Sequence, residues 1–195
     1  MKKLLITAFE PFGGEELNAS LLALQRLPEK IGSWEVTKYT VPVVFGLAGE
    51  KVIQAAEELK PDAIVSLGQA EGQDNVTPEL VGINLRNARI PDNDGKQPLR
   101  ETIVSGGPDA YFSTLPVFEM AAAIKENNLP GDVSYSAGTF VCNELLYTLL
   151  HHYVGTDTKA AFIHVPMTPV QATKGQPSME ADDIAKAILS AIEAI

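Results

Sequence analysis

The sequence predicts an α/β fold, a three-layer α/β/α sandwich around a largely parallel, mixed central sheet, with residues 1–195 forming one domain. Three observations predict it. Short apolar runs alternate along the chain with stretches of helical periodicity, the pattern of a sheet covered by helices on both faces. The apolar runs are only about as long as a strand and end at turn-forming residues, as buried strands do. A chain of 195 residues with no internal repeat, low-complexity tract or linker lies within the single-domain range.

The elements follow in order. Lys3 to Thr7 is a buried strand ending at Phe9-Glu10-Pro11-Phe12-Gly13-Gly14, a loop at its carboxyl end. Asn18 is a good N-cap for a helix through about Leu27, carrying Leu21, Leu22 and Leu24. Glu35 to Val43, rich in Val, Thr and Tyr, is a strand. Leu47 to Leu59 is helical, with Val52, Ala55, Ala56 and Leu59 at helix spacing, and Pro61-Asp62 stops it. Ala63 to Leu67 is a second buried strand leading into Gly68-Gln69-Ala70. Val81 to Leu85 is another strand. Asn87 to Leu115 has little periodicity and much Gly, Pro and Asp, and so long an irregular stretch is usually functional or mobile. Pro116 starts a helix to about Asn127, and Val133 to Ser136 is short and β-like. Cys142 to Val154 is helical, Ala161 to Val165 is a strand, and Ser178 caps a last helix with Ile184, Ile188, Ala191, Ile192 and Ile195 on one face.

Composition narrows the function classes. Hydrophobic residues make up 45% and charged residues 21%, enough for an ordinary core without disulfides. The single cysteine cannot form an internal disulfide, which fits a reducing compartment. The formal net charge is -10 and Lys and Arg are not clustered, so neither nucleic acid nor an anionic membrane surface is an expected partner. The amino-terminal run Leu4 to Ala8 is too short for a secretory signal, and no run approaches the roughly 18 apolar residues of a membrane span. The expected location is the cytoplasm.

The chemistry-bearing candidates start with that cysteine. Cys142 follows the turn-tolerant Ser136-Ala137-Gly138-Thr139 and opens a helix. A thiol there lies near the positive end of the helix dipole, which favours the thiolate, and near backbone N–H groups that could hold an oxyanion. The competing reading is an inert, packed cysteine, which is common. His151 and His152, at the end of the same helix, read as surface residues. His164 stands near the carboxyl end of the apolar Ala161 to Val165 strand, where sites form in open α/β sheets, and a histidine there can take a thiol proton. It could equally be a satisfied core histidine. A third group should orient the imidazole, and Glu79, Asp62, Asp92, Asp94 and Asp109 are open alternatives.

Taken together, six stretches resemble the pyroglutamyl peptidase I (pyrrolidone-carboxylate peptidase) family of cysteine peptidases. They are Thr7 to Gly14 with Asn18; Leu67-Gly68-Gln69-Ala70; Val76-Thr77-Pro78-Glu79 with Asn84; Ala88 to Asn93; Ser134 to Asn143; and Phe162-Ile163-His164-Val165-Pro166. They occur in the family's order and span Leu5 to Pro166. The resemblance implies a Cys-His-Glu triad of Cys142, His164 and Glu79. It further implies removal of an N-terminal pyroglutamyl residue from peptides through an acyl-enzyme, no metal or cofactor, and a homotetramer. It implies a substrate pocket of Phe9, Phe12, Ile90, Phe140 and Val141, with polar contacts or support from Asn18 and Gln69. Arg89 would help the backbone N–H groups stabilise the oxyanion. Phe9 and Phe12 could instead be core packing, Asn18 only a helix cap, and Arg89 only a salt-bridge partner.

The chain departs from the family at Glu71, Leu80 and Gly82, where a small residue, a basic residue and Ala are usual, and it ends somewhat earlier. These positions flank Glu79 and bear on loop geometry and oligomer contacts. Two other readings remain: a related thiol amidohydrolase acting on another small amide, and a non-catalytic small-ligand binder on the same scaffold. A nucleotide-binding enzyme fits poorly, because Gly13-Gly14 is too short for a phosphate-binding fingerprint.

Overall fold

The structure, a computed structural model, describes residues Met1–Ile195. A six-stranded sheet runs through the middle of the molecule. Its strands are β1 (Lys2–Phe9), β2 (Lys30–Ile31), β3 (Trp34–Val41), β4 (Ala63–Gln69), β5 (Thr77–Pro78) and, last in the chain, β8 (Lys159–Val165). The order is β2-β3-β1-β4-β8-β5. The four central strands are parallel, and the short outer strands β2 and β5 pair antiparallel. The sheet is therefore mixed but largely parallel, as the sequence predicts. Strands β1, β4 and β8 are buried over nearly their whole length, which explains why they read as continuous apolar runs.

Helices cover both faces. Helices α1 (Ala19–Arg26), α3 (Val117–Glu126) and α5 (Ala181–Glu193) pack on one side. Their core joins Leu4, Ile6, Val65 and Ile163 of the sheet to Leu24, Met120, Ile184, Ile188 and Ile192. On the other side lie α2 (Leu47–Leu59) and α4 (Val141–His152), where Leu5, Ile64 and Phe162 meet Val52, Leu145, Leu146 and Leu149. Each fully buried Leu, Ile or Phe contributes about 1.5–3 kcal/mol relative to leaving it in water. No helix is long and apolar enough to cross a membrane.

The local signals work as expected in most places. Asn18 has extended backbone angles, φ -133° and ψ 120°, and its side chain accepts the Ser20 N–H, as an N-cap does. Three expectations need correction. Ser178 does not cap α5; the helix starts at Ala181 after Glu180, with no side-chain cap. The strand expected at Val81 to Leu85 ends at Ile83, and this β6 (Val81–Ile83) lies outside the main sheet, paired with β7 (Ala110–Phe112). Val133 to Ser136 forms no strand, only a bridge from Ser134 to Glu79.

Candidate active site

The chain leaves β1 towards β3 on one side and leaves β4 towards β8 on the other. The adjacent carboxyl ends of β1 and β4 are thus a topological switch point, where a crevice opens in such sheets. The loops after β1, β4 and β8 all emerge at this edge.

His164 and Glu79 meet there because of a very short strand. Thr77 and Pro78 pair antiparallel with His164 and Ile163, and the Glu79 N–H continues the ladder to the Phe162 carbonyl at 2.8 Å. Glu79 therefore lies diagonal to His164 on one sheet face, within side-chain reach. Their side chains join at 2.6 Å, Oε1 to Nδ1, with Glu79 fully buried. The carboxylate accepts, so Nδ1 carries the hydrogen and Nε2 is left for another partner. Glu79 is fixed from behind as well: Leu80 N–H donates to the Ser134 carbonyl at 2.8 Å, and the Ser113 hydroxyl donates to the Glu79 carbonyl at 2.6 Å. The second carboxylate oxygen, Oε2, is buried without a hydrogen-bond partner.

Burial disfavours the charged imidazolium. The nearby Cys142 sulfur and then Glu79 outweigh that, and the His164 pKa is pushed from 6.5 up to about 10. A protonated imidazole anchored by a carboxylate and facing a sulfur is an arrangement that can exchange a proton with a bound group.

Cys142 is the second residue of α4. Gly138 turns the chain ahead of the helix with φ 74°, a conformation that a side chain would strain. Phe140 caps the helix without any side-chain hydrogen bond, so the first-turn N–H groups are not occupied by a protein side chain. Cys142 is partly exposed, and its sulfur lies over Gly68, the register partner of His164 on β4. The stretch before α4 is tied to residue 87: Thr139 Oγ1 donates to the Asn87 carbonyl at 2.8 Å, and the Asn87 N–H donates to the Thr139 carbonyl at 3.0 Å.

The other candidates divide into two groups. Phe12 and Phe140 pack with ring centroids 6.2 Å apart, and Phe45 closes on Phe140 edge-on at 5.2 Å. Ile90 and Arg89 are exposed nearby in sequence to the Asn87 tie, and Arg89 forms no ion pair. Phe9 is buried and packs on Phe162, and Val141 is buried in the α2–α4 core. Asn18 is buried as the α1 cap, and its Nδ2 also donates to the Glu10 carbonyl at 3.1 Å. Gln69 Oε1 accepts from Ala19 N–H at 2.8 Å and from Gln171 Nε2 at 2.9 Å.

The rival carboxylates are occupied elsewhere. Asp62 accepts the Lys3 N–H at 2.7 Å, at the opposite edge of the sheet. Asp92 holds the N–H groups of Phe45, Asp94 and Lys96 in a turn. Asp109 lies by Tyr147 and, with Asp94, is absent from the contacts of His164. His151 bonds the Tyr111 hydroxyl through Nδ1 at 2.9 Å, away from Cys142.

Sequence reasoning passed over Asn143 and Glu144. Both are buried in α4 directly after the cysteine. Asn143 accepts the Ile83 N–H at 2.9 Å and donates to the Ile83 and Leu85 carbonyls at 2.9 and 3.1 Å. Glu144 receives Arg86 Nε at 2.7 Å and the Gly46 N–H at 3.0 Å. Two adjacent polar residues beside the apolar positions of the helix were the available signal, since a buried polar group needs partners.

The flanking departures have separate surroundings. Leu80 packs against the core, Glu71 accepts from Gln176 Nε2 at 2.9 Å on the surface, and β6 comes so close to α4 that a Cβ on Gly82 would meet the Tyr147 nitrogen at 3.0 Å.

Comparison with known proteins agrees over the whole length. The profile described as pyroglutamyl peptidase matches residues 2–195. A pyrrolidone-carboxylate peptidase of a Thermoanaerobacter species is 47% identical over 197 aligned residues, covering 99% of this chain and 97% of that protein. The Thermococcus onnurineus pyrrolidone-carboxylate peptidase is 46% identical, covering 95% and 94%. The fold superposes on the crystal structure of Bacillus amyloliquefaciens pyroglutamyl peptidase I with a TM-score of 0.95 at 41% identity, covering 100% of this chain and 96% of that one. It superposes on the Thermococcus litoralis pyrrolidone carboxyl peptidase with a TM-score of 0.94 at 40% identity, covering 100% and 93%.

Proposed function

From the premise that this chain belongs to the pyroglutamyl peptidase family of cysteine-type hydrolases, which remove N-terminal pyroglutamate, we propose that Cys142, His164 and Glu79 carry out that reaction as a catalytic triad. The single observation that carries the reading is the buried 2.6 Å contact between Glu79 and a His164 that keeps its proton beside the Cys142 sulfur.

The thiolate of Cys142 attacks the carbonyl carbon joining pyroglutamate to the next residue. A C–S bond forms and the carbonyl becomes an oxyanion. The free first-turn N–H groups of α4 stabilise it, with Arg89 as a further cation. The C–N bond then breaks as His164 gives its proton to the leaving amine. Water, deprotonated by His164, cleaves the thioester and restores the thiol proton to the couple. Glu79 keeps the ring in one tautomer and balances its charge throughout.

The substrate ring is a flat neutral lactam. Phe12 and Phe140 supply an aromatic surface for it, while Phe9 packs on Phe162 at the end of β1 and Val141 anchors the start of α4 in the core. Ile90 is an apolar exposed residue for the mouth. Gln69 and Asn18 are positioned by their own hydrogen bonds, Gln69 with an amide nitrogen to offer and Asn18 as support for the loop after β1. A thiol nucleophile suits a reducing compartment, consistent with a cytoplasmic enzyme.

The test is release of a chromophore from a pyroglutamyl anilide by wild type and Cys142→Ser, with a prolyl anilide as control. Hydrolysis by wild type alone, of the pyroglutamyl substrate alone, is expected. Activity surviving in Cys142→Ser refutes the nucleophile.

The assembly proposed is a homotetramer. Phe112 and Val154 remain exposed on this chain and give a second copy apolar surface to cover. Light scattering should return four times the 20.9 kDa chain mass, and a monomer mass refutes it.

A further inference from the structure

The Phe162 ring and the Cys142 sulfur both lie in the space that a side chain on residue 68 would take. Gly68 is the Cα register partner of His164 across the β4–β8 pair. A Cβ built on it would lie 2.6 Å from Phe162 Cζ, 2.9 Å from Phe162 Cε1 and 3.0 Å from Cys142 Sγ. Its backbone does not have a positive φ, so the requirement is for space and not for an unusual conformation. The same ring that fills the space, Phe162, is fully buried, packs 6.3 Å from Phe9 and stands 4.8 Å from the His164 ring. Phe162 therefore cannot yield to a methyl group without pressing on the imidazole or on Phe9, because close-packed interiors transmit such strain.

We propose that Gly68 is a positioning residue: its missing side chain lets the Phe162 ring slide under the site and sets the height of Cys142 Sγ beside His164. The inference rests on the reading of Cys142 and His164 as nucleophile and base. It goes beyond that reading in assigning the spacing between them to a glycine on the neighbouring strand. Displacements of reacting groups by about 1 Å can cost on the order of a hundredfold in rate. Gly68→Ala should thus act on the chemical step and not on substrate binding.

The experiment compares kcat and KM on a pyroglutamyl anilide, and the rate of Cys142 alkylation by iodoacetamide, in five proteins: wild type, Gly68→Ala, Phe162→Leu, the Gly68→Ala/Phe162→Leu double variant, and Gly49→Ala. Gly49 supplies the control. A Cβ there meets Thr148 Cγ2 at 2.8 Å between α2 and α4, a comparable overlap outside the site. The expected result is a fall in kcat of tenfold or more in Gly68→Ala with KM changed less than about twofold, and a changed alkylation rate. Gly49→Ala should keep both rates. The double variant removes the ring overlap but keeps the methyl group against the sulfur. It should refold as well as Phe162→Leu and still fall tenfold or more below that variant in kcat, which decides the matter even where Gly68→Ala alone does not fold. If the double variant matches Phe162→Leu in kcat and alkylation, Gly68 only makes room for packing and the inference is overturned. If instead Cys142→Ser remains active, the underlying nucleophile reading fails, which is a different result from a silent Gly68→Ala.

Discussion

Burial on its own would drive the His164 imidazole to its neutral form, and the Cys142 sulfur and the Glu79 carboxylate reverse that. The consequence for stability has a definite sign. The folded pKa, about 10, lies above the ordinary 6.5, so the folded state holds this proton more tightly than the unfolded chain. The stabilisation is complete below about pH 6.5 and is lost as pH rises through 10. Urea midpoints measured across that range should fall with pH in the wild type. Glu79→Gln removes one of the groups that raise the pKa, so its loss of stability should be smaller and should finish at a lower pH. The same substitution should lower kcat by about a hundredfold or more, since an amide neither balances the imidazolium nor fixes the tautomer in the same way. Identical alkaline profiles in the two proteins would show that Glu79 does not act on the His164 charge. Glu79 itself was one of five carboxylates on spacing alone. The family resemblance picks it out in the sequence, and the pairing of Glu79 with Phe162, residues distant in sequence, is what carries it to His164.

What was readable at the level of elements follows how local their causes are. The α2 span, Leu47–Leu59, is as predicted, because apolar spacing and the Pro61 stop are written next to each other. Strand β5 is two residues long and carries no pattern of its own; it exists because β8 offers an edge. The irregular segment from Asn87 to Leu115 likewise takes its form from isolated bonds. Gln97 Nε2 reaches the Arg89 carbonyl at 2.9 Å, and Asn84 accepts the Val104 N–H at 2.8 Å while donating to the Val104 carbonyl at 2.9 Å. No periodicity records such ties. Two other side-chain clamps, Asn18 and Asn143, lead to predictions. Asn18→Ala removes the α1 cap and the bond to Glu10, and should cost about 1 kcal/mol in chemical unfolding. Because Glu10 lies in the loop that carries Phe12, KM should rise with it. Asn143→Leu leaves the Ile83 N–H and the Leu85 carbonyl unpaired between α4 and β6, each costing about 1–3 kcal/mol, while the Ile83 carbonyl keeps the Leu85 N–H. Unfolding midpoints unchanged in Asn143→Leu would mean that water replaces the amide at no cost.

The whole molecule places two apolar cores on opposite faces of one sheet, and the strands belong to both. Leu4 and Ile6 of β1 point to the α1–α5 side while Leu5 points to the α2–α4 side, and Ile163 and Phe162 divide in the same way on β8. Neither layer of helices can leave without exposing strand residues that hold the other layer's partners in register, so residues 1–195 should unfold as one cooperative domain. Each face has a natural reporter. Trp34, the only tryptophan, is buried in the first core with its Nε1 donating to the Ile195 carbonyl at 3.1 Å. Cys142, the only cysteine, packs against the second. Trp34 fluorescence and the alkylation rate of Cys142, which its site sets in the folded protein, should therefore follow a single transition in urea at fixed protein concentration. Ile188→Ala makes the test sharper. Ile188 is fully buried in the first core, far from the thiol, and its truncation should cost about 2–5 kcal/mol. Both reporters should shift together by that amount, with KM for the pyroglutamyl anilide unchanged. A Trp34 transition that moves while the Cys142 alkylation transition stays at its wild-type midpoint would mean that the two faces are separate folding units.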